Sequence, residues 1–153
     1  RHGGHEWIVV RKGATPAFPG QRGFVGGSMG DDSVILEGSV SDDSEVRSLQ
    51  EQALFSTVHG AGRVMSRTEA AGKIHRKTRE VLRPGKITPQ MMGDWLEGKG
   101  VILRGGGLDE APQAYRRLPE VLEAQGKTIE VKTVLRPAIV AMAGANEFDP
   151  YKD

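Results

Sequence analysis

Apolar positions along this chain gather in short clusters rather than long stripes. Glu6-Trp7-Ile8-Val9-Val10 barely alternates, which predicts a strand covered on both faces. Ser33-Val34-Ile35-Leu36, the run from Ala53 to Val58 and Val101-Ile102-Leu103 predict three more strands. Thr128 to Val134 alternates cleanly, as a half-exposed strand does, and the apolar run Ala138 to Met142 follows Leu135-Arg136-Pro137. Helical spacing appears between these runs. It predicts a helix from Thr68 to Leu82, with Ser66 or Thr68 as cap, Glu69 in the first turn and Arg83-Pro84-Gly85 as the stop. A shorter helix over Thr88 to Leu96 has Thr88 as cap and Pro89 in first position, with Met91, Met92, Trp95 and Leu96 on the core side. A third runs from Pro119 to Gln125 and ends at Gly126. Strands and helices mixed in this order predict an α+β fold, a mixed β-sheet with helices packed on its faces.

The segments between these elements are rich in glycine. After Arg11-Lys12-Gly13, the residues Pro16, Pro19, Gly20, Gly23, Gly26, Gly27 and Gly30 predict a long loop, and long ordered loops are uncommon unless functional. Its end, Gly26-Gly27-Ser28-Met29-Gly30, offers hydroxyls and backbone N–H groups that suit a phosphate or a nucleotide; a plain surface loop is the alternative. Residues 39–50 are acidic and polar and read as a surface insert without an assigned role. Arg104-Gly105-Gly106-Gly107 before Asp109-Glu110 is a second glycine-rich candidate for phosphate binding.

The richest stretch is Phe55 to Arg67. An apolar run delivers His59 onto Gly60-Ala61-Gly62, Arg63 follows, and Ser66-Arg67-Thr68-Glu69 signals a helix start. Glycines let a ligand approach the backbone, N–H groups at such a turn favour an anion, and arginine presents a planar fork matched to phosphate oxygens. An imidazole there is a ligand, an acid/base, a nucleophile or merely the end of a strand. Lys73, His75, Arg76, Lys77 and Arg79 form the most basic stretch, either a solvated helix face or a phosphate-backbone contact.

Composition narrows the choices. The chain has 153 residues, enough for one domain, and a net charge of +1, so any contact with nucleic acid must be local. Cysteine is absent, which excludes disulfides and thiolate metal sites and leaves a cytoplasmic address as the expectation. No apolar run approaches the ~18 residues that a membrane span requires. His2, His5, His59 and His75 show no metal-ligand spacing. Arg1 leading straight into a strand looks like the start of a piece of a longer chain.

The unbroken run Ser56-Thr-Val-His-Gly-Ala-Gly-Arg-Val-Met-Ser-Arg67 resembles the nucleophile segment of the RtcB-type RNA ligases, and Arg11 to Ser33 resembles the guanylate-pocket loop of the same family. The resemblance extends over about Arg1 to Gly144, leaving a tail at 145–153, and places the whole of 1–153 as the C-terminal portion of a larger RtcB-like fold with glycine-rich nucleotide-binding loops. It implies a GTP- and Mn2+-dependent ligase. Such an enzyme joins RNA 3′-phosphate or 2′,3′-cyclic phosphate ends to 5′-hydroxyl ends through a histidine–GMP intermediate, in tRNA splicing or RNA repair. It further implies that His59 is the nucleophile, and that Gly26, Gly27, Ser28, Met29, Ser33, Gly60, Ala61, Gly62 and Arg63 bind GMP or GTP with His59. Tyr115, which matches the tyrosine closing the family's acidic-Pro-x-Ala-Tyr run, would stack on guanine. The metal ligands are expected upstream of this chain, and none is assigned within it. The expected partners are RNA (tRNA halves or cleaved RNA), GTP and the N-terminal remainder of the ligase, with no membrane. The family's terminal pocket lysine has no counterpart at Met142-Ala143-Gly144, so Lys152 is a candidate substitute. Alternatives are an inactive nucleotide- or RNA-binding fragment and one half of a split ligase.

Overall fold

The computed structural model describes residues 2–75, 78 and 80–144. Its first elements are β1 (Ala14–Pro16), β2 (Arg22–Val25), β3 (Ser33–Gly38), α1 (Ser44–Gln52) and β4 (Ser56–Val58). Then come α2 (Arg67–Ala71), β5 (Gly72–Ile74), β6 (Val81–Pro84), α3 (Pro89–Lys99) and β7 (Ile102–Arg104). α4 (Leu118–Glu123), β8 (Ile129–Leu135) and β9 (Ile139–Ala141) follow. The described residues divide into two compact units, one holding those of 2–27, 32–62 and 117–136, the other those of 28–31, 63–116 and 137–144.

The first unit is built on the antiparallel sheet β2-β3-β8, in which Val34 pairs with Val25 on one side and Val134 on the other. Alternation along β3 buries Val34, Leu36 and Gly38, and the first two join Ala17, Val25, Leu118 and Ile129 in one apolar cluster. Each of its larger side chains contributes about 1.5–3 kcal/mol by leaving water. Helix α1 is capped by Asp43, whose carboxylate accepts from the Glu45 N–H at 2.8 Å. Buried Gln50 donates from Nε2 to the carbonyls of Ser39 (2.9 Å) and Thr128 (3.0 Å). The 39–50 segment is therefore more than a surface excursion: its acidic residues are exposed, while Ser39, Val46 and Gln50 are buried.

In the second unit, Ala70, Ile87, Ala111 and Ala114 form one cluster and Met29, Leu96 and Val101 another. The parallel pair β7-β9 aligns Leu103 with Val140. Helix α3 follows its cap signals, with Thr88 Oγ1 accepting from the Met91 N–H and Gly100 closing the end, but Met91, expected on the core side, is exposed and only Leu96 is buried.

Several expectations are corrected. Four small sheets replace the single mixed sheet among the described residues, three antiparallel and one parallel. Glu6 to Val10 forms no strand: Ile8 is 95% and Val10 86% exposed, because no described strand pairs with the segment. The expected long helix from Thr68 stops at Ala71, where Gly72 takes φ +85, a conformation that L side chains rarely adopt. β-branched Ile74 and Val81 then pair across a hairpin instead. The strand expected over Ala53 to Val58 begins only at Ser56, and β8 buries Ile129 alone. Lys152 and the tail lie outside the described residues.

Candidate active site

His59 stands at the end of β4, which pairs with β1 so that Ala14 faces Val58 and Thr15 faces Thr57. Thr57 is buried, and its hydroxyl lies 3.2 Å from Gln125 Oε1, tying β4 to the segment after α4. The turn that feeds β4 is bent hard: Leu54 and Phe55 have φ of 51° and 50°, the left-handed region. Arg11 clamps it, donating from Nε to Ser56 Oγ (2.8 Å) and from a terminal nitrogen to the Leu54 carbonyl (2.9 Å). Phe55 stacks on Phe18 with centroids 4.8 Å apart, and the Phe55 carbonyl accepts from the Ala17 N–H. A strained turn so held fixes the strand beyond it. His59 itself is exposed, its ring makes no hydrogen bond to another described residue, and a Cβ on Gly13 would stand 3.9 Å from its Cδ2.

Beyond His59 the backbone bridges in parallel to the glycine loop. Gly26 pairs with Gly60, and the Ala61 N–H donates to the Gly26 carbonyl at 3.1 Å. A Cβ on Gly60 would stand 3.4 Å from that carbonyl, at the edge of ordinary van der Waals contact. Gly62 turns the chain with φ +76. Ser33 Oγ accepts from the Gly27 N–H at 3.3 Å, which closes the loop on itself. Gly26, Gly27, Ser33, His59, Gly60, Ala61 and Gly62 thus belong together in the first unit.

The second unit holds Ser28, Met29, Arg63 and Tyr115. Ser28 Oγ is buried without a hydrogen-bond partner among the described residues, the state of a hydroxyl suited to a ligand. Met29 packs with Leu96 and Val101, and its Cε stands 3.1 Å from where a Cβ on Gly106 would lie. Gly105 is likewise close-packed, pressed against the Met142 backbone.

Arg63 is engaged on every side. Its Nε donates to the Met65 carbonyl (3.1 Å), one terminal nitrogen to Tyr115 Oη (2.7 Å) and Glu110 (3.3 Å), and the other to the Asp109 carbonyl (2.6 Å). Its guanidinium also lies over the Tyr115 ring at 4.8 Å. Glu110 further accepts from the Tyr115 hydroxyl and pairs with Arg67, which also bonds Asp109 at 3.1 Å. This network of two arginines, two carboxylates and a tyrosine is the part that the sequence reading left without roles, apart from Arg63 and Tyr115. Its signal is the spacing of Arg63 and Arg67 four apart, matched by adjacent Asp109 and Glu110 six and five residues before Tyr115.

His75, expected on a helix, sits at the end of β5 with its Nδ1 accepting from the Thr78 N–H. No group of three or more His, Asp or Glu side chains suited to a metal occurs among the described residues.

Comparison with known proteins matches residues 1–143 to the model of the family described as tRNA-splicing ligase RtcB. The RNA-splicing ligase RtcB of Escherichia coli K12 is 35% identical over 139 residues, covering 91% of this chain and 29% of that protein. The tRNA-splicing ligase RtcB of Archaeoglobus fulgidus is 35% identical over 152 residues, covering 87% of this chain and 27% of the relative. For that of Pyrococcus furiosus the figures are 31% identity, 89% and 14%. The chain thus spans less than a third of the length of these relatives and matches their C-terminal part.

Proposed function

The chain belongs to the RtcB family of tRNA-splicing ligases, and from that premise we propose that it carries the nucleotidyl-transfer histidine of a GTP-dependent RNA ligase, His59. The observation that carries the reading is the corner itself. An exposed imidazole ends a clamped strand and is followed at once by the glycine bridge Gly26–Gly60, where backbone closes within reach of an anion. In the proposed step a ring nitrogen of His59 attacks the α-phosphorus of GTP. The N–P bond forms, the bond to the β-phosphate bridging oxygen breaks, pyrophosphate leaves and the ring proton passes to solvent. An RNA 3′-phosphate oxygen then takes the guanylyl group and frees the imidazole. A 5′-hydroxyl displaces GMP to form the phosphodiester. Gly26, Gly27, Ser33, Gly60, Ala61 and Gly62 are proposed to shape the nucleotide's phosphate contacts from the first unit. Ser28, Met29 and Tyr115 are proposed as further nucleotide contacts on the family resemblance alone, Tyr115 to the base. Arg63 is proposed to act on GTP through the tyrosine it holds and through its own charge. No step is derived through manganese, whose ligands are proposed to come from the remainder of the ligase, the partner with which this chain would act.

The test is covalent labelling. Incubation of the complete ligase containing this chain with α-labelled GTP and manganese should leave acid-labile, alkali-stable label, as a phosphorus–nitrogen bond behaves. His59→Ala should abolish it and His75→Ala should leave it. Label persisting in the His59→Ala protein would overturn the assignment; reversible GTP binding with no label in the wild type would instead favour a binding-only role.

A further inference from the structure

The hairpin β5-β6 concentrates positive charge in a chain that is otherwise slightly acidic. Between residues 72 and 86 stand six Lys and Arg and a single Glu, a net +5 against +1 for the whole chain, so the rest sums to −4. The arrangement is costly to the fold. Lys73 and Arg83 are direct cross-strand partners, both exposed, and like charges placed opposite each other destabilise a two-stranded ribbon. Neither makes an ion pair among the described residues. The carboxylate that tempers the group is Glu69, at the foot of the hairpin, and its bond is to Lys86 at 2.5 Å. Beside it lies a hollow of about 420 Å³ lined by Ser66, Glu69, Arg83, Pro84 and Lys86.

We propose that this hairpin is a contact for the phosphodiester backbone of single-stranded RNA, gripping it with Lys73 and Arg83. The proposal rests on the ligase reading for the identity of the polyanion, and on the hairpin alone for the site. Two cations held side by side by backbone register are repelled from each other until an anion lies across them. A phosphate backbone, with its regular negative charges, offsets that repulsion and releases counterions as it binds. The contact positions RNA without reading its sequence, because ammonium and guanidinium groups on phosphate carry no base information.

The test uses fluorescence anisotropy of a labelled single-stranded RNA at a series of salt concentrations, with the chain and its Lys73→Gln/Arg83→Gln variant. The variant should bind more weakly, and its slope of log affinity against log salt should be shallower by about 1.4, two phosphate contacts at ~0.7 each. Thermal melting gives a second readout. Without RNA the variant should melt no lower than wild type, since a repulsive pair has been removed, and RNA should raise the wild type's midpoint more than the variant's. Equal slopes and affinities would overturn the proposal, whatever the outcome of His59 labelling. Binding of an acidic peptide lost in the variant, with RNA binding unchanged, would likewise overturn it in favour of a protein partner. Loss of the His59 label with the salt slopes as expected would defeat the ligase reading and leave the hairpin as an RNA contact.

Discussion

Replacing Arg63 by alanine separates two jobs that the sequence alone merges. The guanidinium donates to Met65 O, Asp109 O, Tyr115 Oη and Glu110, and it is 26% exposed. Intact hydrogen bonds to a charged group are worth about 1.5–3 kcal/mol each. Much of that sum returns in the variant, because water re-solvates the freed carbonyls and Arg67 still neutralises Glu110. What remains is about 3 kcal/mol, the lower end of the range for breaking a buried pair. For a chain of this length that lowers the melting midpoint by about 6–12 °C. Trp95 belongs to the same unit, and the chain has only one other tryptophan, Trp7, so fluorescence in a Trp7→Phe background reports this transition. Arg63→Lys should recover little, since an ammonium does not reproduce the fork. A midpoint within about 1 °C of the parent would refute the reasoning and return Arg63 to a role on the ligand alone.

Arg11→Ala should cost about 2 kcal/mol in urea denaturation by releasing Leu54 O and Ser56 Oγ. The loss should be smaller in a Leu54→Gly background, where the left-handed turn is no longer strained; equal losses would uncouple clamp from strain. The Glu69 carboxyl is held below its ordinary value of 4.5, chiefly by the hydrogen bond from Lys86 and then by that residue's charge. A depressed value in the folded state stabilises above the unfolded-state value and is lost as pH falls through the folded one. Glu69→Gln should therefore flatten the stability profile below about pH 4.5, and an unchanged acid limb in a pH series of urea melts would count against the pairing.

Local chemistry was legible where one residue decides the outcome. Thr88 with Pro89 and a closing Gly100 specify α3, and the apolar run Val34 to Leu36 specifies β3. His59 on its glycine turn was legible for the same reason. Partnership was not. Trp7 to Val10 has the composition of a buried strand, and composition does not supply the neighbouring strand that burial requires. The 68–82 segment has helical spacing throughout, yet one glycine in the left-handed region ends the helix and the remainder pairs as a hairpin. The Arg63–Glu110–Arg67–Asp109 network joins residues more than forty positions apart, beyond any periodicity. The four sheets likewise depend on long-range register, which the alternation of a single strand does not encode.

The pairing of β3 with β8 also sets an order of events as the chain is made. β3 leaves the ribosome with Val34 and Leu36 ready for burial, but the strand that covers its second edge is synthesised only after α2, the hairpin, α3 and β7. Through that interval β3 has one neighbour, β2, and an open edge with apolar side chains, the configuration most prone to pairing with another nascent chain. Long-range closure of this kind also slows folding, because the loop entropy is lost before the contact is gained. The buried glutamine of α1, Gln50, bonds both Ser39 and Thr128, next to the start of β8, so the same helix that waits beside β3 marks where the late strand must dock.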